Sequence, residues 1–459
     1  MAIENFDAIV IGAGQAGPAL AGRLTGAGMK VALVERHLFG GTCVNTGCMP
    51  TKALVASAYA AHLARRAGDY GVTIGGEVGI DMKRVHARAM KVSSDARRNV
   101  ETWLNGMQGL TVLRGHARFT GPHSVEVDGE TLAAERIFIN VGGRAAVPEM
   151  PGVGDIDYLT NTSILQLDTL PRHLVVVGGS YIGLEFAQMF RRFGAQVTIV
   201  EKGPRLIGRE DEDISAAIRE ILEGEGVRVR TGAECIAFRQ TQDGIAVRVD
   251  CQDGAPEEIG SHVLLAVGRQ PNTDDLGLDK AGIEIDGRGY IKVDDHLRTT
   301  VDGVWALGDC NGRGAFTHTS YNDFEIVAAN LLDGDTRKVS ERVQGYALYI
   351  DPPLGRVGLS EAQARAAGKK LLLGTRPMSR VGRAIEKGET QGLMKIVADA
   401  ESRRILGAAI LGTGGDEAIH GLLDVMSAGL PFDDLRWAVP IHPTVSELIP
   451  TVLVGMKPA

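Results

Sequence analysis

A thirty-residue pattern occurs twice in this chain, 166 residues apart, and it limits the fold more than any other feature. DAIVIGAGQAGPALAGRLTGAGMKVALVER, from Asp7, recurs as HLVVVGGSYIGLEFAQMFRRFGAQVTIVEK, from His173. Gly12, Gly17, Gly28 and Glu35 fall on Gly178, Gly183, Gly194 and Glu201. Each copy reads as an apolar strand, a glycine turn, a helix, a Gly before the next strand, and an acid at that strand's end. This is the βαβ unit that binds dinucleotides. The first Gly permits the tight turn, and the middle position (Gly14 in one copy, Ser180 in the other) lets the backbone approach a pyrophosphate. The phosphate then sits on the positive end of the helix. The third Gly brings helix and strand together, and the acid accepts hydrogen bonds from a ribose diol. Two such units predict an α/β protein with two dinucleotide-binding domains. A chain of 459 residues leaves room for at least one more.

Glu201 bears on the choice of nucleotide. A carboxylate there suits the free 2′-hydroxyl of NADH and repels the 2′-phosphate of NADPH. Lys202 and Arg205 follow closely and soften that preference, so NADH is expected and NADPH is possible. The net charge of −8, with no long basic block, recommends neither nucleic acid nor an anionic membrane as a partner. The opening MAIENFDAIVIGAGQAG lacks the basic start of a signal peptide, and no run of eighteen apolar residues offers a membrane span. A cytoplasmic protein is expected, in which a permanent structural disulfide is disfavoured.

Only five cysteines are present, and two of them, Cys43 and Cys48, share the stretch GGTCVNTGCMPTK from Gly40. They are close enough to bridge if VNTG turns, which Gly47 eases. Pro50 starts a long helical run, so Cys48 lies just before a helix N-terminus that stabilises a thiolate. Lys52 adds positive charge nearby. A zinc site needs about four ligands, and Cys235, Cys251 and Cys310 show no second paired spacing, so no metal is expected. The glycine and helix-start context favours a redox pair over two inert thiols.

The order of motifs resembles that of the FAD-dependent pyridine nucleotide–disulfide oxidoreductases, among them glutathione reductase, dihydrolipoamide dehydrogenase and mercuric reductase. The first unit is similar to the family's FAD site, and GGTCVNTGCMPTK to its redox disulfide motif, with Gly41 and Thr42 beside the cofactor. FINVGGR, containing Gly142, and LLAVGRQPN, containing Gly268, resemble the strand ends where the chain leaves and re-enters the FAD domain. TTVDGVWALGDCNG, from Thr299, resembles the second flavin motif, whose acid is here Asp309. VPIHPTVSE, from Val439, resembles the terminal His–Glu segment. The resemblance implies an FAD domain at 1–143 and 270–337, an NAD(P) domain at 144–269, and an α+β dimerisation domain at 338–459.

It also implies roles. Cys48 would face the flavin and Cys43 would exchange with substrate. Lys52 would sit beside the flavin and pair with Glu185. Tyr181 would gate the nicotinamide pocket. His442, oriented by Glu447, would carry protons at the partner's cysteines, making the enzyme a homodimer with shared active sites. The pKa of an unperturbed histidine, about 6.5, suits that task. Cys310 reads as a small core residue, and His318 in FTHTSY has no assigned role. The substrate is a small or protein-bound disulfide or dithiol. Glu201 fits dihydrolipoamide dehydrogenase. The wording GTCVNTGC leans toward mercuric reductase, but the chain ends LIPTVLVGMKPA without a cysteine pair and keeps His442, Pro443 and Thr444. A flavin redox sensor without turnover is the reading from a different class.

Overall fold

The computed structural model describes residues 3–250 and 257–459, and Cys251 lies outside them. The chain divides into two compact units. The first comprises Met1–Ala53, Arg84–Ala146 and Gly268–Arg342; the second comprises Leu54–Lys83, Val147–Val267 and Val343–Ala459.

The first unit is built on the strand Ile3–Ile11. Its residues Ala8 to Ile11 are buried in succession, as a strand covered on both faces requires. It pairs in parallel with Val31–Glu35 on one side and Glu130–Ile139 on the other. The helix Ala16–Gly26 makes the crossover between the first two strands, packing Leu20 and Leu24 into the core. Leu110–Arg114 extends the sheet in parallel beyond Val31–Glu35, and Val304–Ala306 pairs in parallel with Glu130–Ile139. The sheet is thus assembled from segments nearly 300 residues apart in sequence. A two-stranded antiparallel ribbon, Gly143–Ala145 with Arg269–Pro271, ties the outgoing chain to the returning chain.

The second unit repeats the design with a shorter sheet, ordered Arg228–Arg230, Gln196–Val200, His173–Val177 and His262–Leu265, all parallel. The strand His173–Val177 is buried throughout, each apolar side chain contributing roughly 1.5–3 kcal/mol. The helix Tyr181–Phe193 follows and stops at Gly194, whose φ of 119° closes it in the left-handed manner. The same unit holds a six-stranded antiparallel sheet ordered Gly345–Leu348, Leu354–Gly358, Ile405–Leu411, Leu393–Asp399, Leu371–Pro377 and Lys457–Pro458. Met378, Met394, Ile410, Phe432 and Leu453 belong to its core. No helix among the described residues is long and apolar enough to cross a membrane.

Two details differ from expectation. The helix that carries Cys48 begins at Cys48 itself and runs to Arg65, so Pro50 sits inside the first turn, where it sacrifices no hydrogen bond. Cys235 is disulfide-bonded, whereas Cys43, Cys48 and Cys310 carry free thiols.

Candidate functional site

The cysteine pair sits on two successive helices of the first unit. Cys43 lies in the short helix Gly41–Asn45, and Cys48 opens Cys48–Arg65. The intervening turn is tight enough that a Cβ on Gly47 would lie 2.8 Å from the Thr42 carbonyl oxygen. Cys48 is exposed and Cys43 half-buried. A hydrogen bond to Cys48, then burial, then the charge of the Cys48 sulfur push the Cys43 thiol far above its ordinary value. The proton on Cys43 is therefore held firmly while Cys48 stands beside it. Cys48 Sγ lies 3.3 Å from Thr317 Oγ1. Thr317 opens the helix Thr317–Ala328, and nothing local to the cysteine motif signals it. The side chain of His318, the next residue, stacks on Phe316. Lys52 follows one turn after Cys48 on the same helix.

The cysteine loop packs on the first glycine turn: a Cβ on Gly41 would lie 2.8 Å from Gly14 Cα. Gly12 has φ 106°, and a Cβ there would lie 2.3 Å from Asn140 O, so only glycine fits. Gly17 lies in the first turn of Ala16–Gly26. Glu35, at its strand's end, accepts from Ala13 N at 2.9 Å and His37 N at 2.8 Å. Asn140 Nδ2 is buried beside Gly14 and Gly17 with no hydrogen-bond partner among the described residues. An unsatisfied donor aimed at a glycine turn is what a phosphate-bearing ligand would complete. Thr42 Oγ1 donates weakly to Gly143 O at 3.5 Å, next to Gly142. Asp309 lies 3.3 Å from Arg269, one residue past Gly268. Burial raises the Asp309 carboxyl against the pull of that guanidinium. Beneath it Asp323 accepts from Gly308 N at 2.8 Å and Asn311 Nδ2 at 2.9 Å and pairs with buried Arg342, fixing the turn. These residues fit FAD. Cys310 is fully buried, and its thiol, raised to about 12 by burial, donates to Leu307 O at 3.3 Å, a core position.

The second unit carries the second glycine turn. Gly178 has φ 116°, and a Cβ there would lie 2.3 Å from Ala266 O; Gly183 lies on the helix that Ser180 precedes. Both oxygens of Glu201 are held by backbone: Gly179 N at 2.5 Å and Gly203 N at 2.6 Å. The carboxylate is therefore locked facing the turn, the arrangement suited to a ribose diol. Tyr181 begins the helix, and burial raises its phenol to about 12. Glu185, one turn on, accepts from Tyr349 N at 3.0 Å. His442 Nδ1 lies 2.8 Å from Glu447 Oε2, with the His side chain 80% exposed. Lys52 belongs to the first unit, and Glu185 and His442 to the second. Asn140, Arg269 and Thr317 were not foreseen.

Comparison with known proteins supplies the family. Residues 6–323 match the pyridine nucleotide-disulphide oxidoreductase model and residues 345–453 the dimerisation domain of the same family. The chain is 36% identical over 453 residues to the probable pyridine nucleotide-disulfide oxidoreductase RclA of Escherichia coli, covering 97% of this chain and 98% of that one. It is 35% identical to the dihydrolipoyl dehydrogenase of Thermus scotoductus, covering 97% and 96%. Among solved structures, the Cu(II) complex of the HOCl-induced flavoprotein disulfide reductase RclA matches with a TM-score of 0.90 at 35% identity, over 99% of this chain and 100% of that one. This chain belongs to the pyridine nucleotide-disulphide oxidoreductases and is an FAD-containing, NAD(P)H-dependent enzyme with a C-terminal dimerisation domain.

Proposed function

We propose that this enzyme reduces a disulfide at Cys43 and Cys48, using electrons from NADH. The observation that carries the reading is the thiol pair itself: two hydrogen-bonded sulfurs, Cys48 opening the long helix and Cys43 on the short helix before it. Cys43, once deprotonated, attacks one sulfur of the substrate and expels the other as a thiol that takes up a proton. Cys48 then attacks Cys43 in the mixed disulfide and releases the second thiol, leaving Cys43–Cys48 oxidised. FAD supplies the two-electron relay that returns the pair to dithiols at the expense of NADH. His442 takes the Cys43 proton and returns it to the leaving thiol, and Glu447 orients the ring. With a dithiol substrate the sequence runs backwards.

The domain division that serves this scheme is 1–143 with 270–337 for FAD, 144–269 for NAD(P) and 338–459 for the interface. The enzyme works as a cytoplasmic homodimer whose His442 serves the partner's cysteines. Three apolar side chains lead up to His442 almost fully in solvent: Trp437 at 82%, Val439 at 95% and Ile441 at 79%. A second chain would cover them, as the dimerisation-domain match supports.

The test is Cys43→Ser. Disulfide turnover should disappear while NADH still bleaches the flavin; retention of disulfide turnover would overturn the scheme. Substrate identity is approached with a panel of lipoamide, glutathione disulfide and bis-cysteine conjugates, each with NADH and NADPH. The Cu(II) complex of RclA favours one further arm, cupric ion. There, two Cu(II) would each take one electron from the dithiol, which loses two protons and closes to the disulfide.

A further inference from the structure

The helix that carries the second glycine turn is strapped along one face by a short stretch of the dimerisation region. Tyr349 N donates to Glu185, Asp351 N donates to Gln188 Oε1 at 2.7 Å, and Gln188 Nε2 donates back to Asp351 O at 2.7 Å. Arg192 pairs with Asp351 at 2.7 Å. Tyr181, Glu185, Gln188 and Arg192 are spaced by three or four residues and so share a face.

At the nucleotide end the strap meets Tyr181 through aromatic and charged contacts. The Tyr181 and Tyr346 rings meet edge-on, with centroids 5.2 Å apart and planes at 85°. The Arg209 guanidinium lies over both, 5.0 Å from Tyr181 and 5.9 Å from Tyr346. The Tyr346 hydroxyl donates to Oε1 of Glu210, a carboxylate only 1% exposed. Arg356 stands directly opposite Tyr346 in the strand ladder and 3.6 Å from Glu210. A buried acid placed between a hydroxyl and a guanidinium fixes the Tyr346 ring, and that ring fixes Tyr181.

We propose that Tyr346, Glu210 and Arg209 form a latch that holds the Tyr181 ring in its closed position at the mouth of the nucleotide site. The inference rests on the reading of Tyr181 as the nicotinamide gate. NADH entry then has to separate Tyr181 from Tyr346 and Arg209, and the latch sets how much binding free energy that separation consumes. Tyr346, Glu210 and Arg209 are positioning residues: they act on NADH affinity through Tyr181 and not on hydride transfer.

The experiment uses the intact holoenzyme. Reduction of its flavin by NADH is followed anaerobically in a rapid-mixing instrument, giving an apparent Kd and a limiting rate. Arg209 is exposed, so Arg209→Gln tests the latch without threatening the fold, and Tyr346→Phe removes the hydroxyl that binds Glu210. Each variant should tighten the apparent Kd for NADH about threefold to tenfold, the worth of one aromatic or cation–π contact. The limiting rate should stay within about a factor of two. In the double variant of Tyr181→Ala with Arg209→Gln, the Arg209 substitution should add nothing further. If Tyr181→Ala shifts the Kd while Arg209→Gln and Tyr346→Phe do not, the latch is wrong and the gate stands. If Tyr181→Ala leaves the Kd unchanged, the gate reading fails and takes the latch with it. A fall in limiting rate in place of a change in Kd would also overturn the latch, by making these residues general supports of the fold.

Discussion

In the proposed scheme, Glu201 is the place where a single substitution should separate nucleotide choice from the rest of the chemistry. Its two oxygens are committed to Gly179 N and Gly203 N at 2.5 and 2.6 Å, so the charge cannot swing away from an incoming nucleotide. Glu201→Gln keeps the shape, removes the charge, and turns an amide NH2 toward one of those N–H groups. The lost charge-assisted bond costs about 1.5–3 kcal/mol in the ordering of the turn, which should lower kcat/KM for NADH by roughly tenfold to a hundredfold. A 2′-phosphate about 5 Å from the carboxylate, at an effective dielectric near 20, is repelled by about 3 kcal/mol per unit charge. The parent enzyme should therefore favour NADH over NADPH by at least about a hundredfold, and Glu201→Gln should bring that ratio close to unity. The assay is steady-state kcat/KM for each nucleotide with whichever disulfide of the panel turns over. Glu35 supplies an internal control, because its carboxylate is held by Ala13 N and His37 N in the same manner within the first unit. Glu35→Gln should weaken flavin retention and leave the nucleotide ratio alone. A nucleotide ratio that Glu201→Gln moved by less than about threefold would refute the assignment of the carboxylate as the group that reads the ribose.

Glu447→Gln should lower disulfide turnover by about tenfold to a hundredfold, the worth of a hydrogen bond to an imidazolium, with flavin reduction by NADH unchanged in rapid mixing. Gly178→Ala, which would place a Cβ 2.3 Å from Ala266 O, should abolish NADH oxidation while the purified protein keeps its FAD, read from its visible spectrum. Asp211 is buried, which raises its carboxyl, yet bonds from Glu361 N and Ala362 N and the charge of Lys395 outweigh burial and hold it below its ordinary value. A depressed folded pKa stabilises above the unfolded value near 3.9, and that contribution is lost as the pH falls through the folded one. Asp211→Asn should thus cost about 1–3 kcal/mol at neutral pH, and denaturant titrations should show the difference closing below about pH 4.

What the sequence revealed divides by range. Strand, glycine turn, helix and acid lie within thirty residues, so Gly12, Glu35, Gly178 and Glu201 were legible from spacing alone. Asn140 was not, because it reaches the first turn only through the parallel register that sets Ile139 beside Ile11. Thr317 is separated from Cys48 by 269 residues, and no local pattern connects them. Arg269 is delivered to Asp309 by the ribbon that returns the chain to the first unit. The strap of residues 346–351 is the extreme case. Two of its contacts with the helix Tyr181–Phe193 run from a backbone N–H to a side chain, and a backbone N–H leaves no trace in composition. The helix start was misplaced by two residues because proline reads as a beginning, whereas any of the first turn's positions accepts it.

The asymmetry between the two sulfurs argues for a base from elsewhere. Cys48 is exposed at a helix start, a position whose dipole favours a thiolate, and lies 3.3 Å from Thr317 Oγ1. The Cys43 thiol is pushed up by its hydrogen bond to Cys48 and by burial, so it is no nucleophile until something removes its proton. Thr317, which bonds Cys48, carries a hydroxyl that is no base near neutral pH. His442 has the complementary problem: a carboxylate orients its ring at 2.8 Å, yet 80% of the side chain faces solvent on its own chain. An exposed, oriented imidazole and a thiol that must lose its proton are complementary. The proposed dimer completes both with a single contact, and it makes a specific demand: heterodimers of Cys43→Ser with His442→Ala chains should retain one working site, while either homodimer has none.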